Sequence, residues 1–259
     1  MTRTTLSSHN CLVPDWPAPA NVCSLITTRL GGVSQGCFSS LNLGDHVGDD
    51  LIAVQANRTI LRDWVSATPV WLNQVHGTCG VDAAQVSVDS LSASLPPPAD
   101  ASFSREAGVG CLVMTADCLP VLFCDDSGSV VAAAHAGWRG LLAGVLESTI
   151  AAMGCSGEQL MAYLGPAIGP ERFEVGDEVR SAFVALNEAS AQAFKPSPLA
   201  TGKWLADIYL LARQRLSGQG VTRVFGGNFC TVSDAERFFS YRRDGQTGRM
   251  ASLIWLDQR

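Results

Sequence analysis

Three apolar runs in this chain each end in a tight turn that carries a metal ligand. Residues 69–72 lead into Asn73-Gln74-Val75-His76-Gly77. Residues 109–115 lead into Ala116-Asp117-Cys118-Leu119-Pro120, and residues 129–134 into His135-Ala136-Gly137-Trp138-Arg139-Gly140. Each ligand is ringed by Gly, Pro, Asp or Asn, the residues of turns. This punctuation restricts the chain to short strands whose ends lie in loops. The sequence holds only four histidines, two of them in these turns. If the turns converge, a His/Cys/His set leaves a fourth coordination position open, the arrangement of a catalytic zinc site.

The rest of the chain alternates strand and helix signals, which points to an α/β (α+β) fold of mixed β-sheets flanked by helices. Residues 22–28 read as a strand. Asp49 or Asp50 caps a helix running to Val65, with Ile52, Ala56, Ile60 and Val65 at helical spacing. Strands are expected over 69–72, 81–88, 109–115, 121–124, 129–134, 163–164, 221–225 and 252–256. Helices are expected over 141–153, 178–194 and 204–216. Residues 90–100 are polar, contain Pro96-Pro97-Pro98, and form the best linker candidate. No repeat or charge asymmetry divides the chain, so residues 1–259 are expected to form one catalytic domain with a short irregular segment over 1–21.

Charge and cysteine usage narrow the function classes. The formal charge of −6 and the lack of a basic stripe argue against nucleic acid as a partner, since nothing neutralises phosphates. The densest basic stretch, 237–249, is interleaved with aromatics and acids. No apolar stretch reaches the length of a membrane span, and the first residues lack the apolar core of a secretory signal. The expected location is the cytoplasm, with no membrane partner. The nine cysteines, odd in number and without paired spacing, fit free thiols. Cys23, Cys111 and Cys124 lie inside apolar runs and read as small core residues.

The residues alone leave the chemistry of the turns open. A thiolate at Cys118 needs a neighbouring cation, which zinc supplies. Otherwise Cys118 is a core thiol and the two histidines are satisfied by backbone groups. A His₂Cys set also holds copper, with Met114 as a weak axial ligand. Cys118 could instead act as a nucleophile with His135 as its base. A fourth protein ligand, Cys79 or His46, would make the site structural. Arg139 enters a helix start that favours anions. Thr28-Arg29-Leu30-Gly31-Gly32-Val33-Ser34 is either an anion cradle or a plain turn. Leu41-Asn42-Leu43-Gly44-Asp45-His46 carries a histidine that contacts substrate or fixes its loop. Phe238-Phe239-Ser240-Tyr241-Arg242-Arg243-Asp244-Gly245, followed by Thr247-Gly248-Arg249, suits a planar base or an anion, or is a packed hairpin.

As an ordered set these segments, with Asn57-Arg58 and Gly165-Pro166-Ala167-Ile168-Gly169, resemble the YfiH-like family. That family is variously described as laccase-domain proteins (multicopper polyphenol oxidases), purine nucleoside phosphorylases and peptidoglycan editing factors. The resemblance runs from about Val22 to Leu256. It implies a YfiH/CNF1-like fold and one catalytic zinc on His76, Cys118 and His135. It implies phosphorolysis of adenosine, inosine, guanosine and methylthioadenosine, and deamination of adenosine. The expected partners are thus small molecules: a purine nucleoside and phosphate. Arg29, Asn42, His46, Gln74, Arg139, Tyr241 and Arg243 are the expected substrate contacts, with Asp117 as a proton carrier. Two alternatives follow from the same resemblance: a peptidoglycan-precursor amidase using Cys118, and a copper-dependent polyphenol oxidase with copper substituting for zinc. Four histidines are too few for a multicopper cluster, which weakens the oxidase reading.

Overall fold

The computed structural model describes residue 7 and residues 9–89, 96–198 and 200–257. Its elements follow the turn punctuation. The first half holds strands β1 (Cys11–Leu12) and β2 (Val22–Thr27), helix α1 (Leu51–Trp64), β3 (Thr68–Val70), β4 (Gly80–Asp82) and helix α2 (Ala83–Asp89). The central stretch holds β5 (Ala101–Ser104), β6 (Val109–Thr115), β7 (Leu119–Asp125) and β8 (Val131–Ala136), then helices α3 (Trp138–Ala143) and α4 (Val145–Met153). The last part holds β9 (Leu160–Leu164), β10 (Glu174–Gly176), α5 (Asp177–Leu186), β11 (Phe194–Pro196), β12 (Lys203–Ala206), α6 (Ile208–Gly218), β13 (Arg223–Gly226), α7 (Tyr241–Asp244) and β14 (Met250–Leu256).

Two mixed sheets stack face to face. One has the order β1-β2-β14-β6-β3, the other β13-β9-β7-β8-β5-β4, and a small antiparallel sheet β10-β12-β11 stands apart. Side chains alternate across each strand. Leu122, Cys124, Val131 and Ala133 therefore face Ile26, Val113 and Ile254 between the sheets. Val121, Phe123, Ala132 and Ala134 point the other way, onto Val145, Ile150 and Leu211 of α4 and α6. Leu25, Leu112 and Leu253 pack outward on Leu61 of α1. Strands covered on both faces read as continuous apolar runs, and every residue of β7, β8 and β14 is buried. The expected mixed-sheet α/β class is the one observed.

Several local expectations are corrected. The segment 1–21 is not wholly irregular, because Cys11 and Leu12 pair with Thr27 and Ile26. Helix α1 starts at the Asp50 cap, but its buried face is Val54, Asn57 and Leu61, while Ile52 is exposed. The polar Asn57 is core because its amide serves a buried loop, which hydrophobic spacing cannot reveal. The strand expected over 81–88 ends at Asp82, whose carboxylate accepts the Ala84 N–H and starts α2. The helix expected over 141–153 is two helices, divided by Gly144 at φ 103°. The one over 178–194 stops at Leu186, where extended Asn187 caps a separate 3₁₀ turn, Glu188–Ala193. The one over 204–216 begins at Ile208, since the Asp207 carboxylate takes the Leu210 N–H while residues 203–206 pair as β12. Of the expected linker, residues 90–95 lie outside the described residues. Its tail joins the fold: the exposed Pro98 bridges to Asn73, and Ala99 and Asp100 are fully buried.

Candidate active site

The chain crosses from one stacked sheet to the other at two places that matter here: between β3 and β4, and between β6 and β7. His76 lies in the first crossing and Cys118 in the second. His135 stands on β8, paired in register with Pro120 just beyond Cys118. The two crossings and β8 together deliver all three side chains to one point. Their ligand atoms lie within 4.8 Å of one another, and this is the one such His/Cys/carboxylate group found among the described residues. Cys118 Sγ is 3.9 Å from His76 Nε2, and the two imidazole rings meet edge to face at 4.7 Å. His135 is buried, Cys118 partly buried and His76 exposed, so the cluster opens on the His76 side.

Unusual backbone holds the cluster. Among the described residues, His76 (φ 60°) and Asp117 (φ 85°) are the non-glycine positions with positive φ. Such strain persists only where surroundings over-determine it, and it gathers at functional sites. At His76 the determinant is Asp100. Its buried carboxylate accepts the backbone N–H groups of Val75, His76 and Gly77 at 3.1, 2.9 and 2.7 Å. The same Asp100 accepts His135 Nδ1 at 2.8 Å. One carboxylate thus fixes the backbone of one imidazole and the ring of the other, leaving His135 Nε2 for the cluster. At Asp117 the determinants are the Thr231 hydroxyl at 2.5 Å and the Arg242 N–H at 2.7 Å. Gly137 lets the next helix approach: a Cβ there would stand 2.9 Å from Cys118 Sγ and 3.1 Å from His76 Cδ2.

Electrostatics match this geometry. Burial pushes the Cys118 thiol up, but the charges and hydrogen bonds of His135 and His76 outweigh it and bring it down to about 6. Burial pushes His135 down, and the Cys118 thiolate and the Asp100 hydrogen bond override it, raising the imidazole to about 9. Burial raises Asp100, but His135 and the Gly77 and Val75 N–H groups hold it below its ordinary value. Without a metal the site is a thiolate–imidazolium pair backed by a carboxylate. The donor set also suits a metal. Ligand atoms around a tetrahedral zinc stand roughly 3.3–3.6 Å apart; here Cys118 Sγ and His76 Nε2 are 3.9 Å apart and the whole set lies within 4.8 Å, so a small contraction would close it on a metal, and three protein donors leave one position open.

The other sequence-derived residues divide. His46, Tyr241 and Arg249 line one cleft of about 450 Å³ with Gln246 and Thr247, and the Arg242 N–H beside Tyr241 bonds Asp117, which puts that cleft near the cluster. Asn42 is fully buried, and its amide is saturated by Gly44, Asp49 and the Arg249 N–H. It shapes the loop rather than meeting substrate. Gln74 bonds both the N–H and the C=O of Met114, pinning the His76 turn to β6. Arg29 donates to Ser39 O and Ala235 O, and Arg243 to Thr231 O, Val232 O and Phe238 O. Those arginines knit loops together. The 28–34 segment is a plain turn: the N–H groups of Leu30, Gly32, Val33 and Ser34 all bond within the chain. Arg139 is exposed and lies over its neighbour Trp138 at 4.5 Å. Both oxygens of Asp117 are occupied, so it too is a positioning group. Sequence reasoning missed Asp100, because a lone acid after a proline run carries no signal of where it points.

A family described as multi-copper polyphenol oxidoreductase laccase matches residues 23–257, nearly the whole chain. The chain belongs to that family. Similar members of the laccase-domain family are named for a different activity. A purine nucleoside phosphorylase of Pseudomonas aeruginosa is 57% identical over 245 residues, covering 95% of this chain and 98% of the relative. Purine nucleoside phosphorylase YfiH of Escherichia coli is 52% identical, with the same two coverages. A Neisseria meningitidis protein of family DUF152, known from its crystal structure, superposes with a TM-score of 0.91 at 56% identity, covering 96% of this chain and all of that one. The resemblance read from the sequence motifs is thereby established at the level of family and fold. Among the described residues, no helix is long and apolar enough to cross a membrane.

Proposed function

We propose that this chain is a zinc-dependent purine nucleoside phosphorylase acting on adenosine, inosine, guanosine and methylthioadenosine, with adenosine deaminase activity. The observation that carries the reading is the convergence of His76, Cys118 and His135 beside an open cleft, in a chain 57% identical to a named phosphorylase. In this reading those three residues hold the zinc, and copper is the substitute that the same donors would accept. A bound zinc supplies a Lewis acid and a water acidic enough to ionise near neutral pH. The chain's own residues do the rest. Asp100 orients both histidines, Gly137 leaves room beside the thiolate, and Tyr241 and His46 offer an aromatic face and a polar edge to a purine or its sugar. Residues 1–259 act as one catalytic unit in the cytoplasm, where nine free cysteines are at home.

The test is product analysis with adenosine, with and without phosphate, for the native chain and Cys118→Ala. Free adenine that appears only with phosphate, and inosine without it, both lost in the folded variant, are expected. An unaltered product yield in Cys118→Ala would sink the reading. One observation favours a second reading. Asp100, His135 and Cys118 line up as carboxylate, imidazole and thiolate, the order of a cysteine hydrolase. That arrangement suits an amidase acting on a peptidoglycan precursor. A metal-free protein that cleaves such an amide, and leaves nucleosides intact, would select it.

A further inference from the structure

The proposed phosphorolysis needs a phosphate site, and the arginines that the sequence suggests for it are mostly committed elsewhere. Arg29 and Arg243 give their N–H groups to backbone carbonyls. Arg249 is different. Its Nη1 donates to Thr247 O and Gly248 O at 3.0 and 3.1 Å, which anchors one arm, while Nε and Nη2 have no partner among the described residues. Its stem is fixed by close packing on the 42–46 loop: a Cβ at Gly44 would stand 2.8 Å from Arg249 Cγ. The backbone on either side is pinned too, by Arg249 N–H to Asn42 Oδ1 at 2.9 Å and by Leu43 N–H to Arg249 O at 3.2 Å. The Arg242 N–H bonds the Asp117 carboxylate at 2.7 Å, one residue from Cys118, so the neighbouring Tyr241, and with it the cleft that Arg249 lines, lies near the cluster.

A second observation is independent of the arginine. Thr247 lines the same cleft and is 1% exposed, yet its hydroxyl has no hydrogen-bond partner among the described residues. A buried hydroxyl left unpaired is costly, and an oxygen of a ligand held in this cleft would offset that cost. A planar cation with one open edge, Nε and Nη2, beside an orphan hydroxyl matches an oxyanion, since a guanidinium fork meets phosphate through two parallel bonds.

We propose that Arg249 and Thr247 form the phosphate subsite of this enzyme, with Arg249 gripping the anion through Nε and Nη2 and Thr247 supplying a third hydrogen bond. The assignment rests on the phosphorylase reading above. In the step served, an oxygen of hydrogenphosphate bonds to the sugar carbon while the bond from that carbon to the purine nitrogen breaks. The electron pair of the broken bond goes to the purine nitrogen, and the hydrogenphosphate proton ends there. Holding phosphate within the same cleft as Tyr241 sets the attacking oxygen close to the nucleoside.

Calorimetric titration of the zinc-loaded chain with inorganic phosphate tests the site without any turnover. Native protein is expected to bind phosphate. Arg249→Gln should weaken it at least about tenfold, the worth of a charge-assisted hydrogen bond, and the exposed Arg62→Gln should leave it unchanged. Thr247→Val guards against a folding defect. It removes an unsatisfied hydroxyl at constant shape, so thermal stability should hold or rise while phosphate affinity falls about threefold or more. A purely structural threonine would not give that split. Unchanged phosphate affinity in both variants, or no phosphate binding by the native chain, overturns the subsite. Phosphorolysis assays separate the two readings. Phosphate-dependent release of purine with an unaltered phosphate KM in Arg249→Gln defeats this subsite alone. Absence of phosphorolysis in native protein defeats the broader reading, and the titration still decides whether the cleft binds the anion.

Discussion

At the scale of single residues, Asp100 organises the site although it would touch neither metal nor substrate. Three backbone N–H groups and one imidazole converge on it. Asp100→Asn presents an amide N–H where only acceptors fit, so zinc affinity measured by chelator competition should fall roughly 10–100-fold. Retention of native affinity would remove Asp100 from the account. The thiol gives a second prediction, for the metal-stripped chain. With Cys118 brought down to about 6, its thiolate forms as pH rises through that value and is lost as pH falls below it. Alkylation of Cys118 should therefore reach half its maximal rate near pH 6, and added zinc should suppress it. Cys111 and Cys124, pushed by burial up to about 12, should stay unlabelled in the folded chain. A midpoint near that of an ordinary thiol would contradict the imidazolium pairing. The cluster was legible in the sequence because each ligand ends an apolar run next to turn residues, although His135 itself lies on β8 and the turn begins only at Gly137. Asp100 was not, because its role depends on partners 23 to 35 residues away, and Arg249 was legible only as part of a basic, aromatic turn, since what fixes it is a partner 207 residues away.

At the scale of elements, the β7 and β8 strands were readable as unbroken apolar runs, and the turns between strands as Gly, Pro and Asp clusters. Helix boundaries were less so. Residues 141–153 keep helical spacing throughout, yet Gly144 adopts φ 103° and splits the segment. The spacing is blind to that break because Gly is compatible with either conformation. Gly144→Ala would force an L side chain into the left-handed region and should cost about 1–2 kcal/mol in chemical denaturation. A stabilised variant would show instead that one continuous helix is accessible. The strand over 203–206 was hidden for a related reason: Trp204 and Leu205 fit either element, and the Asp207 cap decides where the helix begins.

At the scale of the whole molecule, two stacked sheets with helices outside leave the chemistry to the loops that carry the chain between them. The sheets hold the ends of β3, β6 and β8 together, so residues 40 or more apart in sequence meet within a few ångströms. A rigid scaffold of buried strands is what allows strained residues such as His76 and Asp117 to persist. The same architecture explains why the fold class could be read from alternating signals while the pairing of strands could not, since partners such as β2 and β14 come from opposite ends of the chain. The nucleoside chemistry proposed for this chain depends on a metal held by His76, Cys118 and His135. The measurement to make is inosine phosphorolysis by protein stripped with a chelator and then reloaded with zinc or copper, with bound metal counted in each sample. The expected result is one zinc per chain, loss of phosphorolysis on stripping and recovery with zinc. Full phosphorolysis by the metal-free chain would contradict the account.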